Sequence, residues 1–353
     1  MSEMTAVRLT GWQRPPEVTR VPVPDPGPGE VLLKVAGAGV CHSDLHVMDR
    51  PAGTMPYDLP FTLGHETSGW VHTLGPGTRD TGLREGDAVL VYGPWGCGVC
   101  PACARGAENY CHRAAELRAA GGGLGLDGGM AEYMLVPSAR LLVPLGDLDP
   151  RTAAPLTDAA LTPYHAVKRS LHKLVPGTAA VVIGVGGLGH MAVQLLKALS
   201  PADVIAVDLA SDKLDLAAGA GADHCVPAGE GDADRIRTLT GGLGAALVLD
   251  CVGADPTMAT AAACAAVEAD ITVVGLAGGT LPVTFGAVPF EAAVSIPYWG
   301  TRPELAEVVA LARAGRIRPH VEVHPLGEAG EVYQRLRDGR VDGRAVLVPT
   351  AEA

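Results

Sequence analysis

Cys97, Cys100, Cys103 and Cys111 share one Gly/Pro-rich stretch with the spacing C-x2-C-x2-C-x7-C. Four thiolates this close in sequence can wrap a single tetrahedral Zn²⁺ without help from the rest of the chain. The two-residue spacers let neighbouring thiolates point at one ion, and Gly96, Gly98, Pro101 and Gly106 supply the tight turns that wrapping needs. A closed four-sulfur shell leaves no open coordination position, so this zinc is expected to be structural. Two disulfides, or scattered buried thiols, are the alternative. Clustered cysteines in a chain without a secretory pattern favour metal instead.

Any chemistry then needs a second and different constellation. Cys41-His42-Ser43-Asp44-Leu45-His46 follows one strand-like run, and Gly64-His65-Glu66 precedes another. A catalytic zinc takes three protein ligands and keeps one position open, and a thiolate with an imidazole suits it. Cys41 and His65 fill two positions. Spacing leaves the third open between two carboxylates, Glu66 and the Asp158 of Pro155-Leu156-Thr157-Asp158-Ala159-Ala160.

A third motif binds phosphates. Gly184-Val185-Gly186-Gly187-Leu188-Gly189 follows the apolar run Ala179–Ile183 and opens a helical pattern. The first glycine permits a tight turn, the second lets backbone approach a pyrophosphate, and the third allows close helix–strand packing. The helix N-terminus then offers N–H groups and a positive dipole end. Asp208 ends the next strand nineteen residues past Gly189, where a carboxylate accepts hydrogen bonds from ribose hydroxyls. It repels a 2′-phosphate, and neither Leu209 nor Ala210 supplies an arginine, which points to NAD over NADP. Lys213 is placed to brace the ribose.

The elements that position these groups fall into two classes. Residues 1–160 read as short strands broken by Gly and Pro, including 31–35, 71–74 and 88–91, in a mainly antiparallel, partly barrel-like domain. Residues 161–296 alternate buried strands (179–183, 204–208, 247–250, 271–274 and near 294–296) with helices, the pattern of a doubly wound parallel α/β sheet. Residues 297–353 hold one amphipathic helix, 303–314, and strands at 320–323 and 345–348. They are too few to fold alone and complete the first domain. A net charge of −12 argues against nucleic acid or an anionic membrane as partner. No apolar run is long enough to span a bilayer, and the opening Met1-Ser2-Glu3-Met4-Thr5 has no leader pattern, so a soluble, cytoplasmic protein is expected. Cys225, Cys251 and Cys264 lie in apolar surroundings and read as buried thiols.

In motif order and over essentially its whole length, the chain resembles the zinc-dependent medium-chain alcohol dehydrogenases. Within that family it is most similar to the bacterial NAD-dependent secondary-alcohol dehydrogenases. The motifs that carry the resemblance are Cys41 to His46, Gly64-His65-Glu66-x2-Gly69-x5-Gly75, the four-cysteine lobe, and Gly184 to Gly189 with Asp208. It implies a GroES-like catalytic domain beside a Rossmann domain, two zinc ions per chain, and NAD as cofactor. Cys41, His65 and Asp158 become the catalytic-zinc ligands, Glu66 a carboxylate able to approach that metal, and Asp44 the partner of the His65 ring. Ser43 and His46 become a proton relay, and His42 and Arg344 pyrophosphate contacts. Thr162 comes to lie beside the nicotinamide, and Val252 and Val274 contact the cofactor. Tyr298 and Trp299, with Tyr57 and Trp95, are candidates to wall an apolar substrate pocket in a chain with only 4% aromatic residues. The implied substrates are secondary alcohols and their ketones, and the implied assembly is a homo-oligomer, a tetramer over a dimer. A polyol, threonine or hydroxymethyl-glutathione dehydrogenase on the same fold is the alternative enzyme, and a non-catalytic NAD-binding protein the alternative of another class. Two departures stand out: Asp158 where many relatives carry cysteine, and Thr78 where an aliphatic residue is usual.

Overall fold

The computed structural model describes residues 2–349. The chain divides into two compact units. One holds the residues up to Asp158, Thr301–Arg313 and the stretch from Pro319 onward. The other holds Ala159–Gly300 and Ala314–Arg318.

The first unit is built around a mainly antiparallel sheet. Its strands run in the order Leu142–Pro144, Ala88–Val91, Glu66–Leu74, Val31–Gly39, Arg344–Val348 and Val321–Pro325, with Tyr133–Val136 also paired to Val31–Gly39. Pairing is antiparallel except between the last two strands. Val31–Gly39 is buried along nearly its whole length, as a strand with neighbours on both edges should be. A smaller sheet joins Glu17–Pro22, Glu3–Leu9 and Phe61–Thr62. Thr78 is buried and its hydroxyl donates to the Gly75 carbonyl at 2.7 Å, so the departure there is a satisfied turn hydroxyl.

Strand register brings distant motifs together. Gly39 lies opposite Glu66, so the residues after the first strand (Cys41 and the helix His42–Met48) meet the residues that begin the second, His65 and Glu66. Val346 also lies opposite Gly39, which carries Arg344 to the same end of the sheet. The one-turn segment Ala154–Thr157 packs against both Val31–Gly39 and Glu66–Leu74 and delivers Asp158.

The second unit contains a six-stranded parallel sheet. Numbered by sequence, its strands lie in the order 3-2-1-4-5-6: His224–Pro227, Asp203–Asp208, Ala179–Ile183, Ala245–Asp250, Ala265–Val273 and Ala293–Ser295. Alternate strand residues feed two cores. Val182, Val204 and Leu249 pack with Val167, Val193 and Leu196 of the helices Leu161–Ser170 and Gly189–Leu199. Val181, Ile205 and Val248 pack with Ile236 and Ala261 of the helices Asp232–Leu239 and Asp255–Cys264. Sheets covered on both faces in this way need continuous apolar strands, and that is how they read in the sequence. The edge strand His224–Pro227 is short and mostly exposed, so no apolar pattern announces it. Cys225 lies on it and is exposed, and Cys251 is only half-buried. Of the three dispersed thiols expected to be internal, Cys264 is buried, Cys251 packs against the apolar core while partly exposed, and Cys225 is exposed. An edge strand has no layer to cover its outer residues, which is why the sequence expectation fails at Cys225.

Candidate active site

In the four-cysteine lobe every Sγ atom lies within 4.8 Å of the others. Cys97–Cys103, Cys100–Cys103 and Cys100–Cys111 are separated by 3.9, 3.5 and 4.0 Å. A tetrahedron with Zn–S bonds near 2.3 Å has edges of about 3.8 Å, whereas a disulfide would draw two sulfurs to about 2.05 Å. All four thiols are unbridged. The Cys103 backbone N–H helps hold the Cys100 thiol down to about 6, while burial and its sulfur neighbours push Cys103 up to about 12. Glu108, buried beside the lobe, accepts from Arg140 Nη1 at 2.6 Å and Arg302 Nε at 3.3 Å and so ties the lobe to the unit around it.

Cys41, His65, Glu66 and Asp158 form a second cluster, all buried, with ligand atoms again within 4.8 Å of one another. Asp158 Oδ2 is 3.5 Å from His65 Nε2 and 3.8 Å from Cys41 Sγ. Tetrahedral zinc with N, O and S donors needs N–O and S–O separations of about 3.4 and 3.6 Å. Asp44 Oδ1 holds His65 Nδ1 at 2.9 Å, which turns Nε2 toward the cluster. Glu66 Oε1 accepts from Arg344, but its buried Oε2 has no hydrogen-bond partner among the described residues. Burial raises the Glu66 pKa to about 7, Asp158 adding to the effect and Arg344 opposing it. Burial works against a charged His65, yet Asp44 and Asp158 hold its pKa well above the usual imidazole value. The donor set, its spacing and the orphan carboxylate oxygen all fit a bound zinc. This set includes both carboxylates that spacing left open.

In the second unit, the glycine turn joins Ala179–Ile183 to the helix Gly189–Leu199. A Cβ at Gly189 would lie 2.0 Å from the Gly184 carbonyl oxygen, so the fold itself demands that glycine. A Cβ at Gly186 would meet nothing within 4 Å. The protein leaves open the space a backbone-hugging ligand would fill. Asp208 Oδ2 accepts from Val185 N–H at 2.7 Å and Oδ1 from Ala210 N–H at 3.0 Å, fixing the carboxylate at the rim of this turn.

Residues 27–147 match the alcohol dehydrogenase GroES-like domain family, and residues 187–314 match the zinc-binding dehydrogenase family. An NAD-dependent alcohol dehydrogenase from Sulfurisphaera tokodaii is 36% identical over 361 residues, covering 98% of this chain and all of that protein. A D-arabinose 1-dehydrogenase (NADP(+)) from Saccharolobus solfataricus is 33% identical, covering 99% of each chain. The structure of acetophenone reductase from Geotrichum candidum in complex with NAD superposes with a TM-score of 0.86 at 32% identity, covering 99% of this chain and 98% of that one. The chain belongs to the zinc-dependent medium-chain alcohol dehydrogenase family.

The remaining site residues of this dehydrogenase can now be placed. Ser43 Oγ is 3.7 Å from Cys41 Sγ, and His46 lies one turn further along the same helix, exposed. His42, at the helix start, is also exposed, and partial burial and Arg344 lower its pKa. Arg344 is itself buried and paired with Glu66. Thr162 is buried on the helix Leu161–Ser170. Lys213 Nζ is 3.8 Å from Asp212. Val252 follows the strand Ala245–Asp250, with its backbone N–H held by Asp250 at 2.9 Å, and Val274 donates to the Asp250 carbonyl at 2.8 Å. Gly187 and Leu188 are half-buried in the turn. Tyr57 packs edge-on against Phe61 at 6.0 Å. Trp95 is buried and donates its indole N–H to the Tyr92 carbonyl, so it packs as a core residue. Tyr298 is half exposed, whereas Trp299 is buried, perpendicular to it at 5.8 Å. Trp299 has φ 57°, a conformation bulky residues seldom adopt. Sequence reasoning missed Tyr333, whose hydroxyl donates to Asp44 Oδ2 at 2.9 Å, and the Glu66–Arg344 pair. Neither has a local signal, because the partners lie hundreds of residues apart.

Proposed function

We propose that the protein oxidises secondary alcohols and reduces the matching ketones with NAD, using zinc at Cys41, His65 and Asp158, and that a second, structural zinc occupies the four-cysteine lobe. The observation that carries this reading is a mixed thiolate–imidazole–carboxylate cluster at zinc spacing in a chain that also has a closed four-thiolate one. When bound, zinc supplies Lewis acidity that lowers the pKa of an alcohol hydroxyl, and nicotinamide supplies the hydride acceptor. Ser43 takes the hydroxyl proton, and His46 passes it to solvent. Partial burial and Arg50 hold the His46 pKa below its ordinary value against the pull of Asp49, so its ring is neutral near pH 7 and able to accept. Glu66 with Arg344 keeps a movable anion beside the metal. Gly184, Gly186, Gly187, Leu188, Gly189, Asp208, Lys213, Val252, Val274, Thr162, His42 and Arg344 serve the cofactor. Tyr57, Tyr298 and Trp299 serve the substrate, Trp299 as the fixed apolar wall.

The protein works in the cytoplasm as a homo-oligomer, with a tetramer favoured. An apolar edge on the second unit supports association: Phe285, Phe290, Val294 and Ile296 are 94, 62, 39 and 77% exposed around the edge strand Ala293–Ser295.

A sugar or polyol substrate is the second reading, favoured by the similarity to an arabinose dehydrogenase. A steady-state comparison of kcat/KM for 2-propanol, the 1-phenylethanol enantiomers, ethanol, sorbitol and D-arabinose separates the two. The secondary alcohols are expected to lead, with enantiomers differing by about 10- to 200-fold because a fixed wall sorts substituents by size, worth about 1–3 kcal/mol. Trp299→Ala should shrink that ratio. Sorbitol or D-arabinose leading would reverse the assignment.

Cofactor choice is tested separately. A carboxylate at contact range from a 2′-phosphate costs a few kcal/mol, so NAD⁺ should be preferred by about 100-fold. Asp208→Asn keeps the shape and removes the charge, and should narrow the preference about tenfold. Equal kcat/KM for NAD⁺ and NADP⁺ in the wild type would rule out this role for Asp208.

A further inference from the structure

The helix His42–Met48 starts at a metal-cluster thiol and carries both groups of the proton route, so a small error in its placement disturbs all three. Seven residues make two turns, too few for a helix to hold itself. Its support comes from the far end of the chain. Along the helix Ala329–Arg337, Tyr333 and Arg337 stand one turn apart on one face. Tyr333 donates to Asp44 Oδ2 at 2.9 Å, and Arg337 donates to both oxygens of Asp49, at the helix end, at 2.7 and 2.6 Å.

These two contacts differ in kind. Arg337 and Asp49 are 39 and 53% exposed, so water competes with their pairing and it contributes little. Tyr333 and Asp44 are 3 and 0% exposed. A buried carboxylate must be fully hydrogen-bonded, and Asp44 shows how this is done with three donors. Its Oδ2 accepts from the Cys41 backbone N–H at 3.0 Å and from Tyr333, and its Oδ1 is 2.9 Å from His65 Nδ1. One carboxylate thus sets the backbone at one proposed metal ligand and the ring of another. Tyr333 is the only one of the three donors that does not come from the cluster's own segments.

We propose that Tyr333 is a positioning residue for the Cys41–His65–Asp158 centre, its hydroxyl fixing the Asp44 carboxylate and, through it, the His65 ring and the Cys41 backbone. The proposal rests on reading that centre as a metal site. Tyr333→Phe keeps the ring and removes only the donor, so Asp44 Oδ2 keeps one partner and the carboxylate can rotate. Groups at this remove from a metal typically change its affinity by 10- to 100-fold, and about tenfold is expected here.

The test uses the purified zinc-loaded protein, competed with a chelator while zinc release and circular dichroism are followed. The four-cysteine lobe supplies an internal standard. In Tyr333→Phe one zinc should leave about tenfold more readily, while the other zinc stays near wild type and the melting temperature falls by no more than about 10 °C. Reloading with Co²⁺ should show an altered visible spectrum for the mixed-ligand site only. Adding Tyr333→Phe to Asp44→Asn should produce no further loss, because the route through Asp44 is already cut. Wild-type zinc retention in Tyr333→Phe, or equal loosening of both zincs, would overturn the positioning role. A wild-type protein that holds zinc in the four-cysteine lobe alone would instead overturn the metal reading of the Cys41 cluster, and this proposal with it.

Discussion

Asp158→Ala is expected to lower kcat/KM by at least about a thousandfold while leaving a folded chain that holds one zinc instead of two. A metal's stabilisation of developing charge on a reacting oxygen is worth several kcal/mol, and about 4 kcal/mol is a thousandfold in rate. Asp158 is buried at the end of the Ala154–Thr157 turn, with Oδ2 at 3.5 Å from His65 Nε2 and 3.8 Å from Cys41 Sγ. Alanine removes one oxygen donor and leaves Glu66, whose Oε1 is held by Arg344, as the remaining carboxylate of the cluster. The fold should tolerate the change, because Asp158 and Glu66 repel one another in the same buried cluster and removing one anion relieves that. Metal analysis beside steady-state kinetics checks both halves. If the variant keeps two zincs and most of its activity, Glu66 is the third ligand and Asp158 is not.

That choice marks where the sequence stops being legible. The four-cysteine lobe and the glycine turn are local. Their spacing encodes their geometry, so Cys97 to Cys111 and Gly184 to Gly189 can be interpreted before any fold is known. The alternating buried strands from Ala179 to Val273 are legible for the same reason, since each strand carries its own apolar signature. The proposed third zinc ligand is different. Both Glu66 and Asp158 end up in one cluster because Gly39 pairs with Glu66 and a one-turn segment packs on both strands. Neither fact is written in residue spacing. Tyr333 and Arg344 are more remote still, reaching Asp44 and Glu66 across 289 and 278 residues. The edge strand at His224 is hidden because exposed strands lose the apolar pattern that reveals buried ones.

Cys103→Ser should leave the active-site chemistry near wild type at low temperature but lower the melting temperature by about 5–10 °C and open the lobe to proteolysis. The reason lies in what the lobe would be without metal. Its buried cluster consists of Ala102 and the thiols Cys100, Cys103 and Cys111, with the partly buried Cys97 and Leu117 packed against it, while Val99 is 75% exposed. That is far too little apolar surface to repay the ordering of so many residues. A zinc ion bound there would do what a core does elsewhere, because structural zinc contributes its binding energy directly to folding. Serine leaves three thiolates and a weak oxygen donor, so a few kcal/mol of that energy is lost, which converts to the stated shift at about 2–4 °C per kcal/mol. Glu108, held by Arg140 and Arg302, limits the damage by keeping the lobe's base anchored, so unfolding should be local. Limited proteolysis should therefore cut between Gly96 and Leu117 in the variant and not in the wild type. An unchanged melting temperature together with two retained zincs would mean that three cysteines suffice and the lobe is stabilised by its clamps instead.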